Sequence, residues 1–200
     1  MNQHLSASPQ HPAPVIKPED PAASFNDLVA VYEERLLHAA LQILRDESAA
    51  LRATESAFVQ AYQRLESPFC EHPDAVWMYR HLVEACIEQI RAGEAERRAM
   101  QRRVGTLSSA PVAPLPDDAD IVSRMDQAIS SLTPRRRIVF VLAHYEGLRF
   151  HQIGEVLSVT TSCARVTYHA ALLELYSKLG GEGVKELRAS LRPQMNTVEQ

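Results

Sequence analysis

The side chains best suited to bind another molecule are hydrogen-bond donors and acceptors gathered in one short segment. They are Thr160, Thr161, Ser162, Arg165, Thr167 and His169. Hydroxyls can contact phosphates or base edges, and arginine donates to phosphates and to guanine. Three more cations, Arg135, Arg136 and Arg137, lie shortly before this segment and can supply contacts to a phosphate backbone. The set predicts DNA binding, although a plain solvated helix face remains the alternative because only Arg165 within the segment is permanently charged.

The sequence shows few motifs that could carry out catalysis. It contains no Gly-rich phosphate loop and no Gly-x-Ser-x-Gly motif. Glu84 and Glu88 lie four residues apart, but no second carboxylate pair or histidine matches them, so we interpret them as surface charges. The three cysteines form no Cys-x-x-Cys pair, and the eight histidines lack the spacing of metal ligands. We therefore expect no catalytic residue, no cofactor and no metal, that is, a protein that is not an enzyme.

The charge balance limits how the chain can bind nucleic acid. A formal net charge of −4 excludes a protein that coats nucleic acid by charge alone, so any DNA contact must come from local basic patches. One such patch spans the middle of the chain and is diluted by Glu94 and Glu96. Its members are Arg91, Arg97, Arg98, Arg102 and Arg103. It can bind phosphate, or it can be a solvated helix end whose cations suit the helix dipole.

No signal-peptide pattern and no apolar run of about 18 residues is visible in the sequence. We therefore expect a cytoplasmic protein without membrane insertion, whose cysteines stay reduced.

Apolar periodicity predicts an all-α fold of two small helical domains joined by a Pro-rich acidic linker. Five prolines before residue 23 predict a disordered tail over 1–23. Three helices follow in a first domain, 24–103, starting after a predicted cap at Ser24, with Leu51 and Tyr62 on the buried side of the second helix. Residues 104–119 are rich in proline and carry Asp117 and Asp118, which is typical of a linker.

The second domain, 120–180, predicts a helix-turn-helix. Thr133 followed by Pro134 is a strong helix start, and Gly147 marks the end of that helix. A short helix from Phe150 to Leu157, a tight turn and a last helix from Thr160 to about Leu179 complete the motif. Gly180 and Gly181 predict its end, and 181–200 is expected to be a C-terminal tail. Residues expected to pack the last helix include Val166 and Leu173.

Both predicted domains, over roughly residues 24–180, resemble the extracytoplasmic-function (ECF) sigma factors of bacterial RNA polymerase, within the sigma-70 family. The family reads approximately Leu-Pro, Arg, an apolar run, Glu-Gly-Leu, Glu-Ile-Ala, Leu-Gly and a Thr-Val-Lys-rich helix. The matching residues here are Leu132, Arg137, 139–142, Glu146-Gly147-Leu148, Gln152-Ile153-Gly154, Leu157-Ser158 and Cys163-Ala164-Arg165. In the first domain, Trp77-Met78-Tyr79-Arg80 resembles the family's Trp-Leu-Tyr-Arg, and Phe58 matches a phenylalanine after its core-binding helix.

The resemblance implies an alternative sigma factor that directs core RNA polymerase to specific promoters. The first domain would contact core polymerase through Arg52, Glu55 and Phe58. It would read the −10 element, with possible contacts from Trp77, Arg80, Arg91, Arg97 and Arg98. The linker would enter the polymerase channels. The second domain would read the −35 element through the helix from Thr160, and an anti-sigma factor would hold the protein inactive.

Several residues depart from the family pattern. Arg52 and Glu55 stand where the family usually has Asp and Gln, and Glu84 and Glu88 replace its Asn and Asp. Basic residues of the last helix become Thr167 and Ala170. Two alternatives therefore stay open, a sigma-like decoy that binds an anti-sigma factor without reading promoters, and a simple helix-turn-helix transcriptional regulator.

Overall fold

The computed structural model describes residues 21–65, 74–104 and 121–195, with side chains over 25–65, 74–103 and 123–179. Every regular element in these ranges is an α-helix, which confirms the all-α prediction. The helices are α1 (Pro21–Leu44), α2 (Glu47–Leu65), α3 (Ala75–Val104), α4 (Ile121–Ser130), α5 (Pro134–His144), α6 (Phe150–Leu157) and α7 (Thr161–Met195). We call α1–α3 the N-terminal half and α4–α7 the C-terminal half.

Side-chain caps set the helix boundaries of the N-terminal half. The break between α1 and α2 places Arg45 in the left-handed region at φ 59°. The carboxylate of Asp46 then accepts the Ala49 N–H at 2.7 Å, which satisfies a free donor at the start of α2. Asp74 does the same for α3 by accepting the Trp77 N–H at 2.8 Å. These two acids explain why the helices restart where the sequence predicts.

The buried face of α2 differs from the prediction. Its buried residues are small, namely Ala50, Ala53, Thr54, Ala57 and Ala61. Leu51 and Tyr62, which were expected to pack inward, are 45% and 39% exposed, so that prediction is wrong. The alanine face lets α2 lie close against α1 and α3, since short side chains permit a close approach of the helix backbones.

The C-terminal half has its own apolar cluster, formed by α4, α5 and α7. Phe140 is fully buried at its centre, among Ile129, Leu132, Ala171 and Leu175. Pro134 occupies the first turn of α5 as predicted, although the Thr133 side chain makes no capping hydrogen bond. This cluster holds the last helix in place.

A glycine turn ends α5. Gly147 has φ +69°, and the Leu148 N–H donates to the Leu142 carbonyl at 2.9 Å. This bond closes the end of the helix in the way glycine favours, so the turn predicted at Gly147 is confirmed.

The ends of two helices differ from the sequence expectation. Helix α1 begins at Pro21, a few residues before the cap predicted at Ser24 and inside the predicted tail. Helix α7 continues through Gly180 and Gly181 to Met195, so the predicted end at these glycines is wrong. Glycine lowers helix propensity by only about 1 kcal/mol per residue, which a long helix can absorb. The rest of the predicted N-terminal tail, most of the linker and the last five residues lie outside the described residues.

The two halves pack against each other, with α3 against α6 and α1 against α5. One apolar cluster runs across both halves and includes Leu36 and Leu82 from the first and Leu142 and Ile153 from the second. The predicted pair of helical domains therefore shares an extended contact in this arrangement.

A buried carboxylate lies at the centre of this contact. The Glu146 side chain is 4% exposed and accepts a hydrogen bond from the Tyr79 hydroxyl of the other half. Arg35 and His38 approach Glu146 at 3.8 Å and 3.7 Å. The hydrogen bond to Glu146 raises the pKa of His38, and burial raises that of Tyr79. The contact between the halves is thus partly electrostatic.

His144 gives the C-terminal half an acid-sensitive group. Its ring stacks on Phe140 with centroids 4.9 Å apart, and burial lowers its pKa from 6.5 to about 4. Because the unfolded chain binds the proton more tightly, this histidine's contribution is fully present above pH 6.5 and is lost as pH falls towards 4. We expect His144→Gln to flatten the fall in unfolding free energy across that window, measured by denaturant titration. An identical pH slope in both proteins would contradict this assignment.

Candidate nucleic-acid interface

The turn between α6 and α7 fixes the angle of the last helix. Ser158 lies in the left-handed region at φ 53°, a backbone conformation that glycine adopts more readily than other residues. The Val159 N–H donates to the Gly154 carbonyl at 2.8 Å. A Cβ atom on Gly154 would lie 2.8 Å from the Val159 carbonyl oxygen, so only glycine allows this close approach.

One face of α7 is held by the rest of the C-terminal half. Ala164, Ala171 and Leu175 are fully buried. Tyr168 lies between the rings of Phe140 and Phe150, at 6.3 Å and 5.4 Å between centroids. The opposite face of α7 is therefore turned to solvent.

The predicted binding residues of α7 fall into two groups. Thr160, Thr161, Ser162, Arg165 and His169 are all exposed. The Thr160 hydroxyl accepts the Cys163 N–H at 3.2 Å and so caps the helix. Thr167 differs, because it is half-buried and its hydroxyl donates to the Cys163 carbonyl at 2.8 Å. Its only O–H donor is used within the helix, so it cannot donate to a phosphate or a base.

Arg165 is held in a defined position at the edge of the exposed face. Its guanidinium carbon lies 5.8 Å from the centre of the Phe150 ring, within range of a cation–π contact. Phe150 begins α6, so this contact links the two helices of the motif. A side chain restrained in this way loses less conformational freedom on binding a ligand.

The three arginines of α5 do not act alike. Arg136 pairs with Glu174 at 2.5 Å, and Arg137 is half-buried and donates to the Leu132 carbonyl at 3.3 Å. Burial, and then the charge of Arg45, lower the pKa of Arg137. Arg135 is exposed and its guanidinium lies 3.3 Å from the Cys163 sulfur, beside the first turn of α7. Of the three, Arg135 is best placed to contact a phosphate near that turn.

The predicted contacts of α3 are spread along its length. Trp77 is half-buried with its ring 4.5 Å from that of His81. Arg80 donates to the Glu155 carbonyl of α6 at 3.0 Å, so the contact between the halves engages it. Arg91, Arg97 and Arg98 are exposed, and Arg98 pairs with Glu94 at 3.3 Å. The structure does not bring these residues together into one compact site.

The predicted contacts of α2 share a face with apolar residues whose exposure the sequence did not predict. Arg52 and Glu55 are exposed, whereas Phe58 is half-buried with its ring 6.2 Å from that of Phe25. Leu51, Val59 and Tyr62 are exposed beside them. The alanines at 50, 53, 57 and 61 could have identified this face, because their helical spacing marks the opposite side of α2 as buried.

No helix in the described ranges is both long and apolar enough to cross a bilayer. Among the same residues, no group of three or more His, Cys, Asp or Glu side chains is placed to hold a metal ion.

Comparisons with known proteins agree on one group. Residues 123–175 match the family model described as Sigma-70, region 4. The ECF RNA polymerase sigma factor SigW of Bacillus subtilis (strain 168) is 25% identical over 156 residues, covering 73% of this chain and 83% of that protein. The fold resembles CnrH in complex with the cytosolic domain of CnrY. The TM-score is 0.55 at 19% identity, and the match covers 78% of this chain and 87% of that one. It also resembles the sigma factor RpoE in complex with the anti-sigma factor NepR from Bartonella quintana. The TM-score is 0.61 at 14% identity, and the match covers 78% of this chain and 96% of that one.

Proposed function

We propose that this chain, which is a divergent member of the ECF sigma factors of RNA polymerase, acts as an alternative sigma factor. It binds core RNA polymerase and directs it to a specific set of promoters at the start of transcription. The observation that carries this proposal is the exposed face of α7 with its polar side chains, held by the Gly154 turn inside the region that matches sigma-70 region 4. A helix so held can enter the major groove with its N-terminal residues against the base edges.

The two halves divide the work in this proposal. Residues 24–103 contact core polymerase through the face of α2 that carries Arg52 and Glu55, and they read the −10 element through α3. Residues 120–180 read the −35 element through α7, with Arg135 on the neighbouring phosphates. Residues 104–119 link them, and the protein acts in the cytoplasm as a non-enzymatic subunit. The exposed cations of α3 and α7 support this division, since local basic groups must offset a net charge of −4.

An anti-sigma factor completes the proposal as a regulatory partner. Both solved structures reported above are complexes, and one of them holds an anti-sigma factor. The contact between the halves also engages Arg80 with Glu155, so one predicted −10 contact is unavailable while the halves stay together. A partner that holds the halves in this arrangement would keep the protein from promoters.

The decoy alternative has a specific observation in its favour. Glu84 and Glu88 are both exposed on α3, where their carboxylates would repel DNA phosphates. Binding to core polymerase separates the two functions, because a decoy needs only the anti-sigma factor.

Arg165 provides the first test of promoter reading. We expect Arg165→Ala to weaken promoter binding by the holoenzyme by about 1–3 kcal/mol, because the variant loses the permanent charge on the exposed face of α7. The affinity is measured by titration of a fluorescent promoter duplex at saturating core polymerase. Arg64→Ala is the matched control, because Arg64 is exposed on α2 and outside the proposed DNA contacts. Unchanged affinity of a folded Arg165→Ala protein would exclude α7 as the reader.

A further inference from the structure

The outermost side chains of α7 include two large apolar residues. Val166 is 67% exposed and Leu173 is 69% exposed, more than any other large apolar side chain among the described residues. Both were expected to pack inside the C-terminal half, and that expectation is wrong. Ala164, Ala171 and Leu175 form the buried face instead, so Val166 and Leu173 lie on the opposite side of the helix.

Val166 occupies the middle of the segment proposed to enter the major groove. Ser162 lies four residues before it and His169 three residues after it, so all three share one helix face. Both neighbours are exposed and polar. Leu173 lies seven residues further on, about 10 Å along the helix axis at 1.5 Å per residue. Val166 is thus placed among the base-reading positions, whereas Leu173 lies beyond them.

An aliphatic side chain in the major groove has one specific feature to read. Valine cannot donate or accept a hydrogen bond, so it cannot distinguish bases by their polar edges. The C5-methyl group of thymine is the apolar feature of that groove, and side chains recognise it by apolar contact. A polar edge opposite Val166 would instead lose water without a compensating partner.

We propose that Val166 is a specificity-determining residue that selects a thymine in the promoter element read by α7, by packing its methyl groups against the thymine C5-methyl. This inference rests on the proposed function, because it requires α7 to lie in the major groove. Ser162 and His169 contact the flanking base edges, and Arg135 beside the first turn of α7 contacts the backbone. The rival explanation is that Val166 and Leu173 together form an apolar stripe for a protein partner.

The test removes one methyl group from the DNA. Holoenzyme formed from the full chain and core polymerase is used to select bound duplexes from a random library. Each thymine of the selected −35 region is then replaced singly by deoxyuridine, which lacks only the C5-methyl. We expect one position at which this replacement weakens binding about fourfold. That factor corresponds to about 0.8 kcal/mol, the transfer free energy of one buried methylene-sized group.

Two variants assign the methyl contact to a residue. Val166→Ala removes both γ-methyl groups, so the thymine and uracil duplexes should differ by less than about twofold at that position. Leu173→Ala is the matched control, because it truncates an equally exposed side chain on the same face, and it should keep the fourfold difference. Both residues are exposed, so both variants should fold.

The other outcomes overturn the inference. A selected element without a uracil-sensitive thymine would show that Val166 does not select a thymine methyl. An undiminished fourfold uracil effect in Val166→Ala would show the same. Loss of anti-sigma capture in both Val166→Ala and Leu173→Ala, without a uracil effect, would assign the stripe to a protein partner. Failure of the holoenzyme to bind any duplex would instead overturn the proposed function, together with this inference.

Discussion

Replacing Phe140 by alanine is expected to lower the free energy of unfolding by about 3–5 kcal/mol, the usual cost of emptying a large buried aromatic site. Phe140 is fully buried and contacts the rings of His144, Tyr145 and Tyr168. Since Tyr168 belongs to α7, loss of the Phe140 ring also weakens the packing that holds the proposed DNA-reading helix. Denaturant titration measures the stability, and the promoter-duplex titration measures the functional consequence.

Two control variants test whether the lost stability comes from emptying a buried site or simply from removing an apolar side chain. Phe140→Leu keeps most of the buried volume and should cost much less than the alanine variant. Met100→Ala removes a large apolar side chain that is exposed on α3, and it should leave stability within about 0.5 kcal/mol. Equal stability of Phe140→Ala and the unchanged protein would mean that Phe140 is not at the centre of this cluster.

Gly154→Ala is the second change with a large expected effect. The added Cβ would lie 2.8 Å from the Val159 carbonyl oxygen and 3.4 Å from the Thr161 nitrogen. Both are backbone atoms, so relief requires a shift of α7 relative to α6. We expect a loss of about 1–3 kcal/mol in stability, as for other overpacked sites. Promoter affinity should fall further than stability alone explains, because the angle of α7 changes even in molecules that stay folded.

Gly93→Ala is the matched control for this substitution. Gly93 lies inside α3, where a Cβ would meet only the end of the Arg97 side chain at 4.0 Å. Alanine favours a helix over glycine by about 1 kcal/mol, so this variant should be as stable as the unchanged protein or more so. If Gly154→Ala behaves like Gly93→Ala in both stability and promoter binding, the close approach at the turn is not what orients α7.

Local sequence signals predict the helices well where they are strong. Pro134 and Gly147 mark a start and a turn that depend on backbone chemistry, and the structure places both as expected. The same reasoning failed at Gly180, because helix propensity is a weak preference that the rest of a long helix can override. It also failed at Leu51, since apolar residues on two faces of α2 leave the choice of the buried face to its neighbours.

The candidate site shows a similar limit. Residue types identified Arg135, Arg136 and Arg137 as one basic group, but only tertiary contacts reveal that Glu174 pairs with Arg136 and that Arg137 is half-buried. In the same way, the engagement of Arg80 by Glu155 joins residues 75 positions apart in the chain. Pairings at that distance depend on how the halves pack, which periodicity along the sequence does not specify.

Run-off transcription with purified core RNA polymerase tests the central claim most directly. The full chain is mixed with the core enzyme and a promoter library, and transcripts are counted with the unchanged protein and with Arg165→Ala. We predict core-dependent transcripts from a limited set of promoters, and a marked loss of them in the variant. A chain that captures an anti-sigma protein but binds neither core polymerase nor DNA would contradict the account and leave the decoy in its place.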